Sequence, residues 1–373
     1  MIYLDISAAV HSKAGQGRYS QSLAEALDAL QPGRFGVFFN QGTDGRLPPS
    51  LAHLPQSRVR LGYKPWRMSV LLGNLSHISF RRLTPGAELF HATEHLLMPL
   101  PGLPTVLTVH DLIYKLFPQH HKRLNYWYLN LAMPIYCRRA SKVITISEAS
   151  KRDIVTHYGL GPGKIEVVYE AAAPHFRPPP PAQIEAVRSR LGLPEQYLLH
   201  LGTIEPRKNL SRLVDALTIV RRTHPDMKLL LAGARGWLYH DFFHKIEAEG
   251  LSDVVLSPGW IEDEELPAMI AAARLAVQPS LYEGFGLPLL EHMACGQVVA
   301  SSNRSSLPEV GGDAAAYFDP ENVEEMAAVI LRLLADDAER EVRRQLGLEQ
   351  AARFSWERAA RETIAIYDGL LAA

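Results

Sequence analysis

The chain predicts an α/β protein built from two doubly wound parallel-sheet domains, and three observations carry that prediction. Short apolar runs alternate with amphipathic stretches in both halves, the pattern of parallel strands joined by crossover helices. A run of one arginine and four prolines, Arg177 to Pro181, interrupts the alternation midway. The length, 373 residues, is too great for one ordinary domain.

In the first half IYLDI (2–6), FGVFF (35–39), ELFH (88–91), TVLTV (105–109) and KVITI (142–146) read as strands. SQSLAEALDAL (20–30) and the stretch from Tyr126 to Arg139 read as helices. Four successive prolines suit neither a helix nor a central strand, so 177–181 is expected to be a stiff connector and the domain boundary. Beyond it YLLHLG (197–202), KLLLAG (228–233), VVLSPG (254–259), LAVQPS (275–280) and VVASS (298–302) read as strands that end in Gly, Pro or Ser. The expected divisions are residues 1–177, 178–355 and a last helix, 356–373. Open parallel sheets bind ligands at the carboxyl ends of their strands, so two such sheets facing each other would form one cleft.

An apolar fraction of 47% suits globular cores. No stretch reaches the roughly 18 consecutive apolar residues of a membrane helix. The start, MIYLDISAAV, carries no cationic leader and does not read as a signal peptide. Cys137 and Cys295 sit in apolar helical patterns and are expected as reduced core thiols, which suits a cytoplasmic setting. Residues 1–181 hold 20 Lys+Arg against 11 Asp+Glu, and the remainder 19 against 29. The basic half could face phosphates, an acidic acceptor or a lipid surface, or the two halves could simply attract each other. No nucleic-acid partner is expected.

The segment EGFGLPLLE, Glu283 to Glu291, follows a strand. Gly284 and Gly286 remove bulk from a tight turn, and Pro288 fits the first turn of the next helix. The NH groups of Phe285, Gly286 and Leu287 would then lie at a helix N-terminus, ready for an anion or a hydroxyl. Glu291 is expected in the first helical turn and Glu283 on the loop before it. Both carboxylates can accept sugar hydroxyls. Equally, Glu291 could complement the helix dipole while Glu283 is a solvated loop charge.

In LGTIEPRKNL a strand ends at Gly202, and Asn209 can cap the following helix. Arg207 and Lys208 stand on that loop, able to neutralise a departing diphosphate or to remain solvated cations. GQGRYS follows the first strand after a long loop, Ser7 to Lys13. There Gly15 and Gly17 allow close approach to phosphate, or make an ordinary turn. His110 and Asp111 end the strand of TVLTVHD, where His110 could bond a sugar hydroxyl or a diphosphate, or be structural. HATEH (91–95) fits an inverted zinc-peptidase spacing, but the nearby prolines oppose the sustained helix such a site needs. His120-His121 reads as an unpaired loop doublet. The stretch YKLFPQHHKRLNYWYLNLAMPIYCRRASK (114–142) interleaves aromatics with cations and reads either as a seat on anionic lipid or as a core helix with a basic solvent face.

Taken together, GQGRY, TVHDL, KVITISEASKRDI, LGTIEPRKN, PGWIEDEEL, PSLYEGFGLPLLEHMACG and SSLPEV resemble, in order and over nearly the whole chain, the retaining GT-B glycosyltransferases of glycosyltransferase family 4. The resemblance implies two Rossmann-like domains facing a central cleft that holds a nucleoside-diphosphate sugar. It implies Arg207 and Lys208 at the diphosphate, Glu291 at the ribose, and Glu283 with the Phe285–Leu287 backbone at the sugar. Gly17 would meet the phosphates, His110 would face the transferred sugar, and the backbone near Trp260 and Ile261 would border the base. It also implies front-face attack with retention, no metal or other cofactor, and a last helix crossing back onto the first domain. Three departures stand out: His292 where Ala is usual, Val298 where Pro is usual, and VVYEAAAP (167–174) in place of a Gly-Val-Asp turn.

The expected activity is transfer of a hexose, with mannose from GDP-mannose favoured over a UDP-sugar, to a glycan, lipid-linked or small-molecule acceptor. A peripheral contact at the inner face of the membrane is one option. Alternatives are a nucleotide-sugar epimerase, a phosphorylase, for which Lys228 and Lys245 are poorly placed, and a non-catalytic sugar-nucleotide binder. Acceptor choice would lie in first-domain loops around Gly62 to Arg82 and Tyr114 to Arg123.

Overall fold

The computed structural model describes residues 1–11, 14–42, 44–120, 122–259 and 261–373. The chain forms two compact units, Met1–Glu170 with Ser355–Ala373, and Ala171–Phe354.

Unit one holds a seven-stranded sheet: β1 (Ile2–Asp5), β2 (Phe35–Asn40), β3 (Gln56–Val59), β4 (Leu89–Ala92), β5 (Thr105–Val109), β6 (Lys142–Thr145) and β7 (Ile165–Val167). The order is β3-β2-β1-β4-β5-β6-β7 and every pairing is parallel. Strands β1, β2, β4 and β5 are buried along their whole length, as sheets covered on both faces require. The edge strand β3 is not: QSRV alternates exposed and half-buried, so no apolar run announced it. The segment Gly62 to Arg82, read as a variable loop, is mostly the helix Tyr63–Ser76, which Pro65 enters in its first turn without needing a donor. The Ser7 to Lys13 loop likewise begins with a helical turn, Ser7–Val10, while Ser12 and Lys13 lie outside the described residues. The last helix, Trp356–Leu371, packs on the helix Ala14–Leu30, with Tyr367 against Phe35 and His91 and an Arg34–Asp368 ion pair at the rim.

Unit two holds β8 (Tyr197–Leu201), β9 (Lys228–Ala232), β10 (Val255–Gly259), β11 (Leu275–Gln278), β12 (Val299–Ser302) and β13 (Ala316–Phe318). Their order, β10-β9-β8-β11-β12-β13, is the doubly wound one, reversing direction between β8 and β11. The proline run lies inside this unit. Pro180 is extended, and Pro181 is the first residue of the helix Pro181–Leu191, where its missing N–H costs nothing. The expectation that no proline of the run joins a helix is therefore corrected. Cys137 and Cys295 are free and buried, and burial pushes both thiols up to about 12. Among the described residues no helix is long and apolar enough to cross a membrane.

Candidate active site

In unit two the chemistry gathers at the crevice between β8 and β11, where a doubly wound sheet leaves room for a ligand. The loop after β8 brings Arg207 and Lys208; the loop after β11 brings Glu283. Lys208 Nζ donates to Glu283 Oε1 at 2.6 Å, and Arg207 Nη1 to Oε2 at 2.8 Å. Ser280 Oγ donates to the same Oε1 at 2.6 Å, and Gln278 Nε2 at 3.1 Å. Glu205 takes the other side of Arg207 at 2.5 Å. Two cations and two carboxylates thus form one buried, mutually hydrogen-bonded cluster. Burial opposes ionisation of Glu283, but Arg207 and Lys208 outweigh it and hold its carboxyl far below the usual range. The reading of Glu283 as a solvated loop charge is excluded by its burial. Glu205, Ser280 and Gln278 lie within five residues of their partners Arg207 and Glu283, but nothing in their residue type or spacing marks them as site residues.

Asn209 stands before the helix Leu210–Val220 with φ +59°, a conformation Asn tolerates, and its side chain does not cap that helix. Its amide instead donates to the carbonyls of Pro279 at 3.0 Å and Pro320 at 2.7 Å, tying the Arg207–Lys208 loop to the end of β11.

The helix after Glu283 runs Leu287–Ala294. Gly286 precedes it at φ +109°, and a Cβ there would come within 2.8 Å of Leu307. Ser306 Oγ donates to the carbonyls of Glu283 (3.0 Å) and Phe285 (2.7 Å), and Ser305 Oγ accepts from the Glu283 N–H at 2.8 Å. This clamp fixes the turn, leaving the first N–H groups of the helix without intrahelical acceptors. Glu291 is buried, but as the fifth helical residue it lies in the second turn, not the first as expected. His292 is fully buried with neither ring nitrogen hydrogen-bonded; burial, with His200 nearby, pushes it down to about 3, so it is neutral. Ile261 is buried, and Trp260 lies outside the described residues.

In unit one His110 follows β5. Its Nε2 is 3.0 Å from the Thr93 carbonyl and its Nδ1 is 3.4 Å from Glu170 Oε1, while Tyr19 packs edge-on at 4.7 Å. Burial alone would lower the imidazole pKa, but Glu170 and the carbonyl outweigh it and raise it. With acceptors facing both nitrogens the charged ring is the one satisfied, so a sugar hydroxyl would have to displace one of them. Glu170 belongs to the VVYEAAAP departure, the signal that could have pointed to it. A cavity of about 110 Å³ opens beside His110, lined also by Gln16, Asp111, Tyr114 and Asn125.

Gly15 and Gly17 both lie in the first turn of Ala14–Leu30. A Cβ on Gly15 would meet nothing within 4 Å, whereas one on Gly17 would sit 3.0 Å from the Ala8 carbonyl. Gly17 therefore serves helix packing, and Gly15 is the open one. His91 sits on β4, not on a helix. It bonds Tyr367 Oη at 2.6 Å and Thr108 Oγ1 at 2.8 Å, so both its nitrogens are taken within the core. His121 lies outside the described residues.

Known families and structures match this arrangement. The signature "Glycosyltransferase Family 4" covers residues 14–175, and "Glycosyl transferases group 1" covers 183–351. The chain is 36% identical over 264 residues to an O-antigen chain mannosyltransferase B of Escherichia coli, covering 70% of this chain and 69% of that one. It is 32% identical over 288 residues to an MMP α-(1→4)-mannosyltransferase of Mycolicibacterium hassiacum, covering 73% and 66%. Against a serotype-specific mannosyltransferase of Escherichia coli, WbdA, the match spans only 35% of the relative's length. Among solved structures, a sucrose-phosphate synthase of Thermosynechococcus elongatus superposes with TM-score 0.79 at 21% identity, covering 100% and 99% of the two chains. WaaG, a glycosyltransferase involved in lipopolysaccharide biosynthesis, superposes with TM-score 0.74 at 17% identity, covering 98% and 99%. The chain belongs to glycosyltransferase family 4, with the GT-B fold and mannosyltransferases among its relatives.

Proposed function

We propose that the chain transfers mannose from GDP-mannose to a hydroxyl of a glycan or lipid-linked acceptor, with retention of configuration and without a metal. The observation that carries this reading is the Arg207–Lys208–Glu283 cluster at the β8–β11 crevice. The mannosyltransferases among the relatives support the sugar. In this reading the bond from the sugar C1 to the diphosphate breaks as the acceptor oxygen bonds C1 on the same face, and the acceptor proton passes to the departing phosphate oxygen. Arg207 and Lys208 stabilise the charge that develops on the diphosphate, the task a metal performs elsewhere. Glu283 and the Phe285–Leu287 backbone hold sugar hydroxyls, Glu291 the ribose, and Ile261 borders the base. The setting is cytoplasmic, in keeping with two buried free thiols.

The test is acceptor-dependent nucleotide release from GDP-mannose, with UDP-mannose, UDP-glucose and GDP-glucose as comparisons, in buffer with and without EDTA. The expected result is release from GDP-mannose unaffected by EDTA and an α-linked product by NMR. Preference for a UDP-sugar, loss of activity in EDTA or a β-linked product would overturn the corresponding part. A UDP-sugar donor is the second reading, favoured by structural relatives such as Anabaena HepE, solved with UDP and glucose at TM-score 0.75 and 20% identity.

A further inference from the structure

Two helices of unit one, Tyr63–Ser76 and Arg123–Arg139, carry an unusual surface. Eight of the thirteen large apolar side chains exposed among the described residues fall between Leu61 and Ile78 or between Leu124 and Leu131. On the first helix Met68, Leu72 and Leu75 recur at helical spacing; on the second Leu124, Trp127 and Leu131 do the same, with Leu124 85% and Trp127 66% exposed.

Three hydrogen bonds join the helices in the same N-to-C order. Arg67 Nη1 donates to Asn125 Oδ1 at 2.9 Å, Tyr128 Oη to the Arg67 carbonyl at 3.1 Å, and Arg139 Nη1 to Asn74 Oδ1 at 3.4 Å. The Arg67 guanidinium stacks 3.9 Å over the Tyr128 ring. On Tyr63–Ser76 the exposed stripe lies one residue after the contact positions 67 and 74. On Arg123–Arg139 it lies one residue before positions 125 and 128. A step of about 100° per residue in opposite senses from facing contacts turns both stripes to the same side. The result is one apolar face.

Its charge says what covers it. Residues 45–87 contain seven Lys or Arg and no Asp or Glu, and residues 112–147 contain six and none. Arg60, Lys64, Arg81, Arg82, Lys122 and Arg123 are exposed around the apolar stripes. A second copy of this chain would bring the same positive charge against itself. Apolar side chains ringed by cations, with a tryptophan among them, match a bilayer of anionic lipid, where cations meet headgroups and Leu and Trp enter the acyl boundary.

We propose that this flank docks unit one on an anionic membrane surface. The opposite side of Arg123–Arg139 lines the cavity beside His110 with Asn125, Leu129 and Met133. Docking therefore sets one helix, about 10 Å across, between that cavity and the lipid; that the cavity receives a lipid-linked acceptor rests on the proposed transferase reading.

The test is flotation of the whole chain with vesicles of phosphatidylcholine alone and with 30% phosphatidylglycerol. Wild type is expected to float at least 10-fold more with the anionic vesicles at low salt and to be released by 1 M salt. The pair Arg81→Glu/Arg82→Glu is expected to weaken binding by roughly 25-fold or more, about 5-fold for each cation lost. Trp127→Glu/Leu131→Glu is expected to abolish it. GDP binding and thermal unfolding of each variant, read separately, are expected to match wild type, so failure of docking and failure of the transferase reading are distinguishable. Absent flotation at low salt, equal binding in both variants, or a concentration-dependent dimer that Trp127→Glu dissolves without any vesicle binding would overturn the proposal.

Discussion

Lys208 donates to Glu283 from 75 residues away, at 2.6 Å and in a buried crevice, and the same carboxylate also holds Arg207. In the proposed reading a diphosphate entering this crevice would compete with Glu283 for both cations, and Glu283 would keep them converged until it arrives. Lys208→Met leaves Glu283 with one cation and removes half of the charge set against the leaving group. Turnover is expected to fall about 10²- to 10³-fold, the range for losing one preorganised electrostatic partner. Initial-rate kinetics check it, with circular dichroism to show that the fold persists.

Glu283→Ala is expected to act differently. It strands the buried Lys208 and leaves Arg207 with Glu205 alone as its carboxylate, and breaking a buried pair costs about 3–5 kcal/mol. A fall in the unfolding midpoint of unit two by denaturant titration, larger than that of Lys208→Met, is the expected outcome. Equal midpoints for both variants would show that Glu283 is not what neutralises the pair.

His91, His200 and His292 are buried and neutral, pushed down to about 3, 4 and 3 by burial above all. A histidine whose folded pKa is depressed contributes stability that is present above its unfolded pKa near 6.5 and lost as pH falls below it. At pH 5 each costs roughly 2 kcal/mol relative to pH 8. His110 has the opposite sign: its raised pKa contributes stability below about 6.5 that is lost as pH rises through the folded value. Denaturant titrations at pH 5 and pH 8 are expected to show unit two, with His200 and His292, weakened at the lower pH. His292→Met is expected to remove about half of that dependence.

Glu170→Gln removes the carboxylate that raises His110 while keeping the side chain's shape. The His110 pKa is expected to fall, read by NMR of its ring protons. An unchanged titration would show that the Thr93 carbonyl alone sets it.

Gly17→Ala and Gly15→Ala separate packing from ligand approach. The first drives a methyl to 3.0 Å from the Ala8 carbonyl and is expected to cost about 1–3 kcal/mol. The second meets nothing and is expected to leave stability unchanged or slightly raised.

These residues mark where the sequence was readable. Strands such as TVLTV and KLLLA stand out because they are almost wholly buried and their runs are mostly apolar. QSRV did not, being an exposed edge, and Tyr63–Ser76 was masked by Gly62 and Pro65. Glu283, Arg207 and Lys208 could be picked out by residue type and strand-end position. Their ion pairing could not, nor could the partnership of His110 with Glu170 or of Asn209 with Pro279 and Pro320. Such contacts join segments some 60 to 110 residues apart and leave no local pattern. Gly17 shows the reverse hazard: a glycine that reads as part of a phosphate turn also sits where one helix approaches another.

In the proposed reading the β8–β11 crevice binds the diphosphate of a mannosyl nucleotide. Calorimetric titration of GDP-mannose into wild type and into Lys208→Met tests it most directly. Saturable binding to wild type and binding at least 10-fold weaker to the folded variant are expected; undiminished affinity in Lys208→Met would show that the crevice does not hold the diphosphate.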